Sequence, residues 1–206
     1  MKMIKGFTLG LLTALIQTGM AHAGAWNLAR DMMTQNITNS GATDSAWTLY
    51  QDSDMSGNSL KYVTLPLAST CQWGTTVLNY TCWQISPTTG VMAGVTKTAN
   101  IFPKGSVIVH PRMSRGAVVG WKTPAEGSFK IIYAVSDMHT TCGDGISWNL
   151  RYQGVVQKSG SIVNGGFTNG TLNLSLQAGE SVYLTIGANG TELCDSTAVE
   201  MQVLSQ

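Results

Sequence analysis

Apolar residues recur at every second position through much of this 206-residue chain, and that spacing restricts the fold more than any other feature. Phe129, Ile131, Tyr133 and Val135 alternate with Lys130, Ile132, Ala134 and Ser136. Ile146, Trp148, Leu150 and Tyr152 alternate with Ser147, Asn149, Arg151 and Gln153. Leu172, Leu174 and Leu176 follow, then Val182, Leu184 and Ile186 interleaved with Tyr183 and Thr185, and finally Val199, Met201 and Val203. A period of two sends each set to its own face of a strand, so these are antiparallel strands with one buried and one wet face. Asn164-Gly165-Gly166, Asn169-Gly170, Ala178-Gly179-Glu180 and Asn189-Gly190 offer residues that accept a positive φ and read as turns. Short strands with this punctuation predict an all-β chain, an antiparallel β-sandwich of the jelly-roll kind. Helical spacing occurs once, at residues 26–33, where Trp26, Ala29, Met32 and Met33 share a face.

Composition removes several alternatives. Charged residues are 11% of the chain, against roughly 25% in ordinary globular proteins, and this excludes a coiled coil or long charged helix. A 43% hydrophobic content with a formal charge of +1 excludes charge-driven disorder. The balance also argues against a nucleic-acid partner, which needs a basic footprint.

The N-terminus carries Lys2 and Lys5, an apolar run over residues 7–16, and Ala21-His22-Ala23. This is the pattern of a secretory signal peptide over residues 1–23, with cleavage before Gly24. The apolar run is too short for a transmembrane anchor. Export to the periplasm, cell surface or medium is therefore expected. Residues 24–206 are expected to form a single β-sandwich domain, with residues 24–105 giving outer strands and long loops. Residues 47–50 and 60–67 are the strand candidates in that first part.

Four cysteines, Cys71, Cys82, Cys142 and Cys194, follow the leader. An even count in an exported chain predicts disulfides. Of three connectivities we favour Cys71–Cys82, closing a short loop, with Cys142–Cys194 tying two distant strands. In the chain-entropy account the longer loop contributes roughly 4 kcal/mol.

From residue 107 onward the chain resembles a family of exported bacterial β-sandwich domains, similar in architecture to carbohydrate-binding modules. The resemblance rests on Val107-Ile108-Val109-His110-Pro111, on residues 117–127 around Gly120-Trp121-Lys122-Thr123-Pro124, and on Cys142-Gly143-Asp144-Gly145-Ile146. Leu176-Gln177-Ala178-Gly179-Glu180 and Cys194-Asp195-Ser196-Thr197-Ala198-Val199 continue it in order to residue 203. Arg112-Met113-Ser114-Arg115 departs from the Gly-rich stretch often found there, and Glu180 replaces an Asp. The resemblance implies a jelly-roll-like sandwich and leaves the ligand open.

A sugar site needs an aromatic face for pyranose C–H groups and carboxylates or amides for the hydroxyls. Trp73, Tyr80 and Trp83 sit in and beside the expected Cys71–Cys82 ring and form the first candidate. Their plainer role is to cover the core where strands are scarce. Trp121 and Trp148 lie within apolar registers and are expected in the core, and Trp26 is expected to anchor the N-terminal segment.

Asp137 and His139 are a second candidate set for a ligand. Asp144 and Asp195, drawn together by a Cys142–Cys194 bridge, could hold calcium through oxygen ligands, although turn capping explains both more simply. No G-x-S-x-G, H-E-x-x-H or P-loop pattern occurs, and the chain reads as a non-enzyme without an obligatory cofactor. The expected function is recognition of a glycan or cell-surface receptor without catalysis. The alternative is a structural or adhesive subunit of a surface appendage, in which residues 199–204 would add to a neighbour's sheet edge.

Overall fold

The computed structural model describes residues 24–35, 46–64, 82–85, 90–91, 101–102 and 107–206. In chain order the elements are β1 (Ala25–Asn27), α1 (Leu28–Gln35), β2 (Trp47–Asp52), a 3-10 turn at Ser59–Lys61 and β3 (Tyr62–Thr64). Next come β4 (Cys82–Ile85), β5 (Gly90–Val91), β6 (Ile101–Phe102), β7 (Val107–His110), β8 (Gly116–Lys122) and β9 (Gly127–Asp137). β10 (Ile146–Tyr152), β11 (Val155–Ile162), β12 (Phe167–Leu176), β13 (Ser181–Ala188) and β14 (Thr197–Ser205) complete the set.

Two antiparallel sheets carry the architecture. The first has the order β12-β9-β14-β7-β4, with β1 also on β14, and the second β11-β10-β13-β8-β2-β3. From β7 to β14 the chain crosses between sheets at almost every connection, staying within one only at the β10–β11 hairpin. That order is a jelly roll. The N-terminal half extends it, placing β1 and β4 on the first sheet and β2 and β3 on the second.

Alternation places the core as read. In β9 every second residue from Phe129 to Asp137 is buried, and in β10 Ile146, Trp148 and Leu150 are buried. Trp121 is fully enclosed and meets Trp26 and Phe129 edge-on, each pair of centroids 5.2 Å apart. Trp148 stands 5.2 Å from Tyr133 across the sandwich. Each aliphatic side chain enclosed in this way stabilises the fold by about 1.5–3 kcal/mol.

Three local readings change. Helix α1 begins at Leu28 and not at Trp26, because Trp26 is held in β1 opposite Val203. Asn27 caps α1 by accepting the Arg30 N–H at 2.9 Å, and Leu28 and Asp31, three apart, face the core. Asn169-Gly170 is not a turn: it lies within β12, where a side chain on Gly170 would overlap the Tyr133 ring packed against it. Residues 199–204 lie inside the first sheet, because β14 is paired to β9 along its length on one side and, on the other, to β7 at Thr197–Val199 and to β1 at Gln202–Leu204.

Candidate functional site

Four connections meet at one end of the sandwich: residues 111–115, 138–145, 163–166 and 189–196. The Cys142–Cys194 disulfide, with Cα atoms 5.7 Å apart, staples the second to the fourth. Among the described residues the bridge is as expected, but it joins loops and not strands. The His139 ring lies beside it, its nitrogen and the two sulfurs within 4.8 Å of one another. Asn164 donates its amide to the Gly143 carbonyl at 2.7 Å and Asn189 to the Asp144 carbonyl at 3.2 Å, locking the loops further. Cys194 is held at φ 67°, a left-handed conformation that costs a non-glycine residue of order 1–3 kcal/mol. A disulfide-closed loop holds it there.

This end collects Asp137, His139, Asp144 and Asp195, as well as two residues that the sequence did not single out. Glu192 pairs with Arg112 at 3.0 Å and accepts the Met113 N–H at 2.9 Å, joining the first and fourth loops. Together with His110, Leu193 and Cys194 they line an open cleft of about 610 Å³. Asp144 is exposed and spends one carboxylate oxygen on the Gly190 N–H at 2.8 Å, a cap between loops. Asp137, at the last residue of β9, accepts the His139 N–H at 2.8 Å.

Asp195 departs from the capping role. It is fully buried, and neither carboxylate oxygen has a hydrogen-bond partner. Burial, with Asp137, Asp144 and Glu192 close enough to repel it, pushes its pKa up to about 7. Asp137 is shifted upward chiefly by burial.

His110 is also enclosed here, its Nδ1 2.8 Å from the Pro111 carbonyl oxygen. Burial is the largest cause that lowers its pKa to about 4, with Arg112 and His139 adding to it. A folded-state pKa below the unfolded value of 6.5 means that the unfolded chain binds the extra proton. The contribution of His110 to stability is then complete above pH 6.5 and is lost as pH falls toward 4. At 1.36 kcal/mol per pKa unit the difference approaches about 3 kcal/mol. Urea titrations at pH 7 and pH 4 should show the gap between wild type and His110→Gln shifting in favour of the variant at low pH. An equal gap at both pH values would refute a buried neutral His110.

The second place of interest was hidden among residues expected to face water. Tyr50 of β2, Tyr62 of β3 and Tyr183 of β13 gather on the outer face of the second sheet. Their centroids lie 5.2 Å (Tyr62–Tyr183), 6.0 Å (Tyr50–Tyr62) and 6.1 Å (Tyr50–Tyr183) apart. All three are part-buried. Gly120 of β8 lets them settle, since a Cβ there would meet both the Tyr50 and the Tyr183 ring. The cluster explains why Val118 and Thr185, which point outward, are buried. Arg151, the β10 partner of Tyr183, is steered by the Asn149 side chain at 2.9 Å and the Gly154 carbonyl at 3.2 Å. A signal did exist in the sequence, an aromatic at position 183 among the outward set.

Trp73, Tyr80 and Cys71 lie outside the described residues. Trp83 and Cys82 are described only as backbone of β4, paired with Val109 and His110 of β7.

No protein-family model matches the chain, and no curated protein does. Solved structures do. A family 51 carbohydrate-binding module from Clostridium perfringens, in complex with methyl-galactose, has 13% identity and a TM-score of 0.40. That match covers 65% of this chain and 94% of the module. A family 35 carbohydrate-binding module from Clostridium thermocellum has 16% identity and a TM-score of 0.34, covering 60% of this chain and 92% of that one. A cyclase from Fischerella sp. has 8% identity and a TM-score of 0.40, covering 84% and 95%. Binding modules and an enzyme thus share the likeness, and the strand order itself establishes the two-sheet architecture.

Proposed function

We propose that this chain is an exported, non-catalytic protein that binds a glycan on the outer face of its second sheet. The observation that carries the proposal is the part-buried Tyr50, Tyr62 and Tyr183 cluster beside a positioned guanidinium. Aromatic rings offer apolar surface to sugar C–H groups, while Arg151 and Asn149 answer the sugar hydroxyls. Rings and guanidinium held by their neighbours lose little freedom on binding. The carboxylates Glu180 and Glu192 already have structural bonds, Glu180 to Tyr152 at 2.7 Å and Gln153 at 2.8 Å, Glu192 to Arg112. Export is supported by the leader pattern and the disulfide. No helix among the described residues is long and apolar enough to cross a membrane.

The test is affinity for a retained glycan, measured on single variants. Tyr183→Ala is expected to weaken binding by at least about tenfold, 1.4 kcal/mol, while Tyr183→Phe, which keeps the ring, retains most of it. Trp73→Ala, Trp83→Ala and Asp137→Asn are measured alongside. Loss on a tryptophan change, with Tyr183→Ala unaffected, would move the site to the Trp73–Tyr80–Trp83 loop and defeat the sheet-face reading.

A further inference from the structure

We propose that β12 is an open sheet edge through which two copies of this chain pair, strand against strand, into a two-fold dimer. Among the described residues β12 pairs with β9 alone and ends the row of the first sheet. Such an edge presents unpaired N–H and C=O groups, and folds ordinarily blunt it with charge, proline, a bulge or brevity. The other edges follow that rule. β3 has three residues and β4 has four. β11 carries the exposed Lys158 opposite the buried Leu150, on the core side of its sheet, and its register slips between Leu150 and Arg151. β12 uses none of these devices. It runs for ten residues in unbroken register with β9, without a charge or a proline.

The strand's own side chains argue for a second copy as the occupant. Leu172 and Leu174 lie on the core side and are half-buried, while Asn169, Thr171, Asn173 and Ser175 on the other side are exposed. Antiparallel pairing of a strand with its copy sets core-side residues against core-side residues. Centred on Leu172, it puts Leu172 against Leu172, Leu174 against Gly170, Thr171 against Asn173 and Asn169 against Ser175. No charge meets a like charge, and the short polar side chains face one another. The copy's leucines complete the cover over Leu172 and Leu174. The two-fold axis of this pair is perpendicular to the sheet, so both second sheets lie on one side. Both tyrosine faces then look the same way, and a surface bearing glycan is gripped at two points. That last consequence rests on the glycan reading; the pairing itself does not.

Wild type, a Thr171→Lys/Asn173→Lys variant and a Thr171→Lys/Asn173→Glu variant are compared by sedimentation velocity over a dilution series. Both positions are exposed, so the three proteins should share one circular dichroism spectrum. Wild type is expected to dimerise with a Kd of about 10 µM or tighter. The double-lysine variant sets like charges opposite each other at both contacts and should weaken the dimer by at least about tenfold. The lysine–glutamate variant sets opposite charges there and should restore it. Wild type that sediments as a monomer at about 100 µM overturns the proposal. An undiminished dimer in the double-lysine variant overturns the assignment to β12, and no recovery in the lysine–glutamate variant overturns the antiparallel register. Should the double-lysine variant not fold, Asn169→Lys/Ser175→Lys takes its place under the same criteria. Affinity for a soluble monovalent glycan should be equal in dimer and monomer, so failure of the glycan reading leaves the sedimentation result standing.

Discussion

Cys142→Ala with Cys194→Ala is expected to lower the free energy of unfolding by about 4 kcal/mol, because the bridge spans 52 residues and removes loop-closure entropy from the unfolded chain. In urea the midpoint should fall while the slope rises, since an unbridged chain exposes more surface on unfolding. The bridge staples the 138–145 loop to the segment that carries Cys194, at φ 67°, and the buried Asp195 beside it. Its removal should therefore admit water to the Asp137 and Asp195 carboxylates and bring both pKa values back toward the ordinary carboxylate range. Carbon-detected NMR titration of the two carboxyl groups reads this directly. A loss below about 1 kcal/mol, with both titrations unchanged, would mean that β-sheet pairing alone holds the end together.

Trp47→Ala is expected to cost about 3–5 kcal/mol. The side chain is fully buried, and its indole N–H donates to Asp31 at 2.8 Å. That carboxylate, 2% exposed, also receives the Asn27 N–H at 3.0 Å and the Arg30 guanidinium at 2.7 Å. It is thus a hub tying β1 and α1 to β2. Truncation leaves a cavity and removes one donor from a buried carboxylate. Trp47→Phe separates the two, since it fills most of the volume but gives no donor, and should cost about 1–3 kcal/mol. Equal losses in the two variants would assign the effect to the hydrogen bond and not to packing.

The strand system was readable because each sheet keeps one face against the other, which makes burial a local, period-two property. Phe129 to Val135 and Ile146 to Leu150 needed no knowledge of distant partners. The Cys142–Cys194 bridge was readable by count and compartment. The same locality explains the failures. Gly170 carries turn chemistry, yet the Tyr133 ring across the sheet decides its place in β12. Asp195 sits in a loop segment, and only the packing of four connections buries it. The tyrosine cluster depends on the order β13-β8-β2-β3, which brings Tyr183 beside two residues from the opposite end of the chain. Alternation assigns Tyr50 and Tyr183 to water one at a time and cannot show that they meet. Composition and pattern thus outlined the sandwich, while both candidate sites arise from its crossovers.

The most direct test of the central claim is a glycan-array screen of the oxidised protein, run in calcium and repeated with a chelator. The account predicts retention of a defined set of glycans by wild type and its loss in Tyr183→Ala. A folded wild-type protein that retains no glycan in either condition would contradict it.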